Sequence, residues 1–175
     1  MAWVERLAAK VSWHPLDLDV AWMEIQRRLG VDLPDDFKEF CQCFGRGLFS
    51  GYLEVYSSAG GGDLGALVKL ERFQRMLEQH PVVQDGYEPY GLFRPERGGL
   101  IPWGVSFTAA EYYWNARIDV PPENWPVVAR EEVGQWKIYE VGMAEFAYRI
   151  LTDATFEEFS IAELVPVPFY EGAPR

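Results

Sequence analysis

The sequence predicts one α+β domain with a largely antiparallel or mixed central sheet of about five to six strands and helices packed on one face and around it. Three observations lead there. The chain has 175 residues and is 49% hydrophobic, enough for one sizeable core and too short for two. Helical spacing dominates the first 80 residues. Short β-rich runs with brief connections then follow one another from residue 100 to 141, which favours antiparallel pairing over a doubly wound sheet.

The elements read in order as follows. Ala2–Val11 is a short amphipathic helix with Trp3, Leu7 and Val11 on one stripe, ended by His14-Pro15. Asp19–Leu29 is a second helix, with Asp17 or Asp19 as cap and Gly30 as the C′ glycine. Asp35–Phe44 is a third. Asp35 is its expected N-cap, Phe37, Phe40, Cys41 and Phe44 its apolar stripe, and Gly45 its stop. Leu48–Val55 reads as one strand, Ser57–Asp63 as a glycine-rich loop and Leu64–Glu78 as a fourth helix. Pro81–Gly99 has no clear period and reads as a long loop with one short strand near Tyr90–Phe93. Four strands come next, at Leu100–Phe107, Tyr112–Ile118, Pro126–Arg130 and Gln135–Val141, the first two joined by Ala109-Ala110-Glu111. Met143–Leu151 is the last helix. Thr152–Arg175 reads as an acidic extension that lies along the domain edge and then frays.

Charge narrows the function classes. The formal net charge is −11, with 27 acids against 16 bases. Phosphate attraction needs clustered Lys and Arg, so direct nucleic-acid binding and adhesion to anionic membrane are not expected. A basic protein partner is compatible with this charge, because opposite fields speed association. Met1–Pro15 does not read as a signal peptide, and no run approaches the ~20 apolar residues of a membrane helix. Cys41 and Cys43 stand two apart on a helix and so do not face each other. A reducing, cytoplasmic setting is therefore expected.

Catalytic motifs do not stand out. His14 and His80 each precede a proline at a helix exit. Gly60-Gly61-Gly62 lacks the Lys-Ser/Thr of a phosphate loop, and no G-x-S-x-G or zinc-ligand spacing occurs. No carboxylate pair is singled out for glycosidase-like work. The expectation is a non-enzyme without metal or cofactor.

The residues Glu24, Leu29, Gly30, Leu33, Pro34, Asp36, Phe37, Phe40, Phe44, Gly45 and Gly47 follow one another in a distinctive order. Leu100-Ile101-Pro102-Trp103-Gly104, Tyr113-Trp114, Trp125-Pro126-Val127-Val128, Gln135-Trp136 and Met143-x-x-Phe146 continue it. Together, over roughly residues 18–151, they resemble the SUKH superfamily, the Smi/Knr-type domain. Two departures lie in the Ala109-Ala110-Glu111 connection, where the family often carries an Asp-Gly turn, and in the long 81–99 region. The resemblance implies a protein-binding role. Many bacterial members look like immunity proteins that neutralise a cognate polymorphic toxin, often a nuclease. Fungal relatives act as regulatory scaffolds, which is the alternative. No catalytic residues are implied.

Partner-binding candidates follow from residue type. Glu111, Tyr112, Tyr113 and Trp114 combine a charge with rigid aromatics, as interface anchors do. Strand alternation predicts that half of them are exposed. Asp119 and Glu123, with Glu131 and Glu132, suggest one acidic rim. Asp63, Asp85, Tyr87, Glu88 and Tyr90 sit in two loops suited to docking against a basic protein. The hydrophobic members of the resemblance, including Leu33, Trp103 and Trp136, are expected in the core. Gly30, Gly45 and Gly47 are expected to supply positive φ.

Overall fold

The computed structural model describes residues 2–59, 65–156 and 159–174. Its helices are α1 (Trp3–Lys10), α2 (Trp22–Leu29), α3 (Asp35–Phe44), α4 (Ala66–Gln79) and α5 (Met143–Thr152). Its strands are β1 (Gly47–Phe49), β2 (Leu53–Val55), β3 (Gly99–Ser106), β4 (Glu111–Ala116), β5 (Val127–Arg130), β6 (Lys137–Tyr139) and β7 (Tyr170–Gly172). They form one sheet of order β6-β5-β4-β3-β2-β1-β7, antiparallel at every pairing. The α+β class is as the sequence predicts, with seven strands in place of five to six.

Both differences in strand count come from turns and termini. The run read as one strand at Leu48–Val55 is a hairpin. Ser50 and Gly51 take φ of 53° and 64°, and the Tyr52 N–H donates to the Phe49 carbonyl at 2.8 Å. Two successive positive φ values match the right-handed twist of the flanking strands. The described part of the 152–175 extension does not fray as expected. Ile161 donates its N–H to the Ile150 carbonyl at 2.8 Å, Phe159 is buried, and Tyr170–Gly172 closes the sheet against β1. Tyr170 packs its ring on Trp13, Phe44 and Phe49 and donates its hydroxyl to the Phe44 carbonyl at 3.2 Å.

Helices cover the sheet on two faces. On one, α3 and α5 bring Phe37, Phe40, Phe44 and Phe146 against Phe49, Trp103, Tyr112 and Trp114. The α1 helix lies outside α3 and α5. On the other, α4 and a 3-10 segment at Pro81–Tyr87 cover β3 and β4, with Phe73 on Tyr87 and Tyr87 on Tyr113. That 3-10 segment replaces part of the structureless loop predicted at 81–99. Near Tyr90–Phe93 the chain makes only single bridges, Leu92 to Leu100 and Arg94 to Gly98.

The helix ends explain several motif residues. Gly30 ends α2 at φ 81° and Gly45 ends α3 at φ 67°, conformations that favour glycine. Gly47 has no positive φ. A Cβ there would lie 2.4 Å from the Glu171 carbonyl oxygen, so its role is the close approach of β7. The predicted caps are displaced: Ala21 precedes α2 and Pro34 precedes α3, with Asp35 already the first helical residue. Asp36, one position on, reaches across to α5. Its Oδ2 accepts the Ala144 N–H at 2.9 Å, the bond that an N-cap side chain ordinarily makes within its own helix. Burial raises the Asp36 carboxyl above its usual range, against backbone N–H bonds led by Ala144 that lower it.

Candidate functional site

β4 is the centre of the site, and the sheet's two covered faces decide what its side chains can do. Tyr112 and Trp114 point toward α5 and α3, while Tyr113 points toward the 3-10 segment. All three are buried. The expectation that half of this aromatic run faces a partner is overturned: alternation sends residues to opposite faces, and here both faces are packed. Tyr87 is buried as well. Asp63 lies outside the described residues.

On the face shared by Glu111 and Tyr113, the register places Arg130 beside Glu111. Arg130 is 6% exposed, and its Nε donates to Glu111 Oε2 at 2.6 Å. Its Nη1 also donates to the Gly86 carbonyl. Two rings lie against the guanidinium, Trp136 at 4.3 Å and Tyr87 at 5.0 Å from their centroids. Trp136 is fixed in turn by its indole N–H, which donates to the Glu88 carbonyl at 2.8 Å, and by edge contacts with Tyr90 and Tyr113.

A buried cation survives in such a place only when paired and hydrogen-bonded. Burial opposes the Arg130 charge most strongly, but Glu111 with Tyr113 and Tyr87 together outweigh it, so the guanidinium is held above its ordinary range. Burial, reinforced by Glu111, pushes the Tyr113 hydroxyl far up and raises Tyr87 as well, so neither phenol is poised to ionise near neutrality.

The cage has a structural consequence at the surface. Through Arg130 and Trp136 it ties the 3-10 segment to the β5–β6 connection at residues 131–136. Gly86 sits so close to Val133 that an added Cβ would meet its Cγ1 at 3.3 Å. Asp85 and Glu88 flank the first contact, and Glu131 and Glu132 the second; all four acids are exposed. Val82, 86% exposed, and Val133, 74% exposed, stand among them. The outcome is a surface on two joined segments that carries four exposed carboxylates together with exposed Val82 and Val133.

The predicted rim divides. Glu131 and Glu132 follow the Arg130 end of β5, whereas Asp119 and Glu123 lie at the opposite end, beyond Ala116 and before Val127. The four-residue β5 separates the two pairs by roughly 13 Å at about 3.3 Å per residue. Asp119 pairs with Arg117 at 2.9 Å, and that bond holds its carboxyl below the usual range. The structure therefore gathers Glu111, Tyr113, Tyr87, Asp85 and Glu88 at one place and leaves Tyr112, Trp114, Asp119 and Glu123 elsewhere. Arg130, Val82 and Val133 are the members that residue type alone did not mark. Trp136 is half-buried over Arg130 in place of the expected core position.

Little else at the site invites chemistry. His14 and His80 are exposed. Burial pushes the Cys41 thiol up to about 11, and burial with Glu39 does the same for Cys43, so neither is a thiolate near neutral pH. Among the described residues, no three His, Cys, Asp or Glu side chains gather as a metal-binding group, and no helix is long and apolar enough to cross a membrane. In comparisons with protein-family models, curated proteins and solved structures, nothing matches this chain.

Proposed function

We propose that this chain is a non-catalytic binding protein that neutralises a basic protein domain, in the manner of an immunity protein for a toxin. The observation that carries the reading is the surface made by the 3-10 segment and the β5–β6 connection. Asp85, Glu88, Glu131 and Glu132 are exposed on these two joined segments together with Val82 and Val133. Apolar centres with charged rims are how protein interfaces are built. The SUKH-like order of motifs in the sequence supports the same reading.

The mechanism is occlusion. A nuclease-like toxin carries a basic cleft for phosphate. The four carboxylates substitute for that phosphate, and the net charge of −11 draws the two proteins together. Burial of Val82 and Val133 then slows dissociation. Because the cage fixes both segments in advance, little ordering entropy is lost on binding.

The test is a capture from native cells with the tagged full chain, followed by an activity assay of the captured domain. A single stoichiometric basic protein whose activity the chain inhibits is the expected result. Replacement of the four acids (D85N, E88Q, E131Q and E132Q together) is expected to lower the association rate at least tenfold at low salt. Several unrelated housekeeping partners, or inhibition indifferent to the four replacements, would overturn the proposal.

A further inference from the structure

At the opposite edge of the sheet a second arginine is left without any of the partners that Arg130 enjoys. Arg46 stands between the glycine that ends α3 and the glycine that opens β1. Its Nε is buried and has no hydrogen-bond partner. Nor does it form an ion pair among the described residues. Among the described arginines, Arg46 is the one with a buried side-chain nitrogen that has no partner. Arg27, Arg28, Arg94, Arg117, Arg130 and Arg149 each meet a carboxylate. Glu54 and Glu171 line a shallow hollow that Arg46 also borders, yet neither pairs with it.

Arg46 also borders a cleft of about 740 Å³ whose walls include Trp13, Leu16, Leu18, Phe44 and Pro174. Several features hold the cleft open. The Leu16 and Leu18 N–H groups donate to the Cys43 and Gln42 carbonyls at 2.9 and 3.0 Å, which fixes the segment after α1 against the end of α3. The Trp13 indole N–H donates to the Cys43 carbonyl at 3.1 Å, and its ring stands edge-on to Tyr170. Gly45 has φ 67°, and a Cβ there would lie 2.7 Å from Leu18 Cδ1. The volume is within the ~300–1,000 Å³ usual for small-molecule sites. The described lining contains apolar side chains and one cation, with no carboxylate.

We infer that this cleft is a binding site for a small amphipathic carboxylate, an aliphatic monocarboxylic acid whose chain lies along Trp13, Leu16 and Leu18 and whose carboxylate meets the Arg46 guanidinium. A planar guanidinium accepts a carboxylate through two parallel N–H bonds, and the apolar walls strengthen that attraction by excluding water. A single arginine on apolar walls suits one carboxylate better than a phosphate, which draws on several donors. The site lies at the β1–β7 edge, far along the sheet order from the acidic surface, and stands or falls independently of it.

The probe is decanoate, compared with decanamide, which keeps the chain and removes the charge. Isothermal titration of the full chain is expected to show one saturable decanoate site. Decanamide should bind at least tenfold more weakly. Arg46→Gln should weaken decanoate about tenfold and leave decanamide unchanged. Ala173→Trp, at an exposed position on the lip, should weaken both. The decanoate–decanamide comparison needs no variant, so it decides the matter even if Arg46→Gln does not fold. Equal binding of the two probes, an unchanged decanoate affinity in Arg46→Gln, or no saturable binding would overturn the inference.

Discussion

Arg130 and Arg46 lie in the same sheet and live under opposite rules. Arg130, at the end of β5, has a carboxylate, a backbone carbonyl and two aromatic faces around its guanidinium. Arg46, before β1, has a buried Nε with no hydrogen-bond partner among the described residues. The first arrangement is complete within the chain, so its energy is spent on holding two surface segments together. The second is incomplete among the described residues, and the cleft beside it is open to a ligand. The difference teaches where to look for structure and where to look for a ligand: satisfied buried charge organises a fold, and unsatisfied charge beside an open cleft points to binding.

The largest expected effect comes from breaking the complete arrangement. Arg130→Met strands the Glu111 carboxylate and unties the 3-10 segment from the β5–β6 connection. It should cost about 3 kcal/mol in urea unfolding. Glu111→Gln should cost less, about 2 kcal/mol, because Glu111 is 31% exposed on its side chain and Arg130 keeps the Gly86 carbonyl and both rings. A double replacement that costs the sum of the two would show that the pair is not coupled and would break the comparison.

Asp36 sharpens it, as a buried carboxyl held at Oδ2 by the Ala144 N–H and not by a cation, with Oδ1 left unpartnered among the described residues. Asp36→Ala should destabilise by about 1–2 kcal/mol through loss of the cap on α5. The folded carboxyl titrates above its unfolded value. Its contribution to stability is thus fully present below the unfolded aspartate pKa and is lost as pH rises through the raised one. Asp36→Asn retains an acceptor oxygen and removes the titration. Its stability should be flatter than the parent's across that window, and an unchanged slope would contradict the assignment.

The smallest effect belongs to the incomplete arrangement. Arg46→Gln should change stability by no more than about 0.5 kcal/mol, since the arginine forms no ion pair among the described residues. A loss as large as that of Arg130→Met would mean that Arg46 is structural after all.

How much of this was legible in the sequence varies by region. The helices at 3–10 and 35–44, and the strand pairs from 99 to 139, follow from apolar spacing, which local chemistry and tertiary packing both obey. The Ser50-Gly51 hairpin carries a turn dipeptide, but its strands are too short for alternation to show. β7 is likewise three residues long and pairs Gly172 with Gly47 and Tyr170 with Phe49, partners more than 120 positions apart in the chain, so no local period announces it. The β3–β4 turn needs a positive φ, and Ala109 supplies it at 66° with Ser106 Oγ accepting the Ala110 N–H at 2.9 Å. A side-chain bond thus does what an Asp-Gly pair does elsewhere.

The site was half legible for a similar reason. Glu111, Tyr87 and Tyr113 were marked by type, and their acids and rings do meet. That the rings face inward depends on α4 and the 3-10 segment covering the second face, which strand alternation cannot report. Arg130 sits at the end of a run of apolar strand residues and carries no motif. Only the register that sets it beside Glu111 reveals its part.

The proposed partner surface is the one that the Arg130 cage holds in place, and hydrogen exchange on the captured complex probes that assignment. Bound partner should slow exchange at residues 81–90 and 131–138 and leave the β1–β7 edge unchanged. Protection at 46–49 and 170–174, with none at 81–90, would place the partner on the wrong side of the sheet and contradict it.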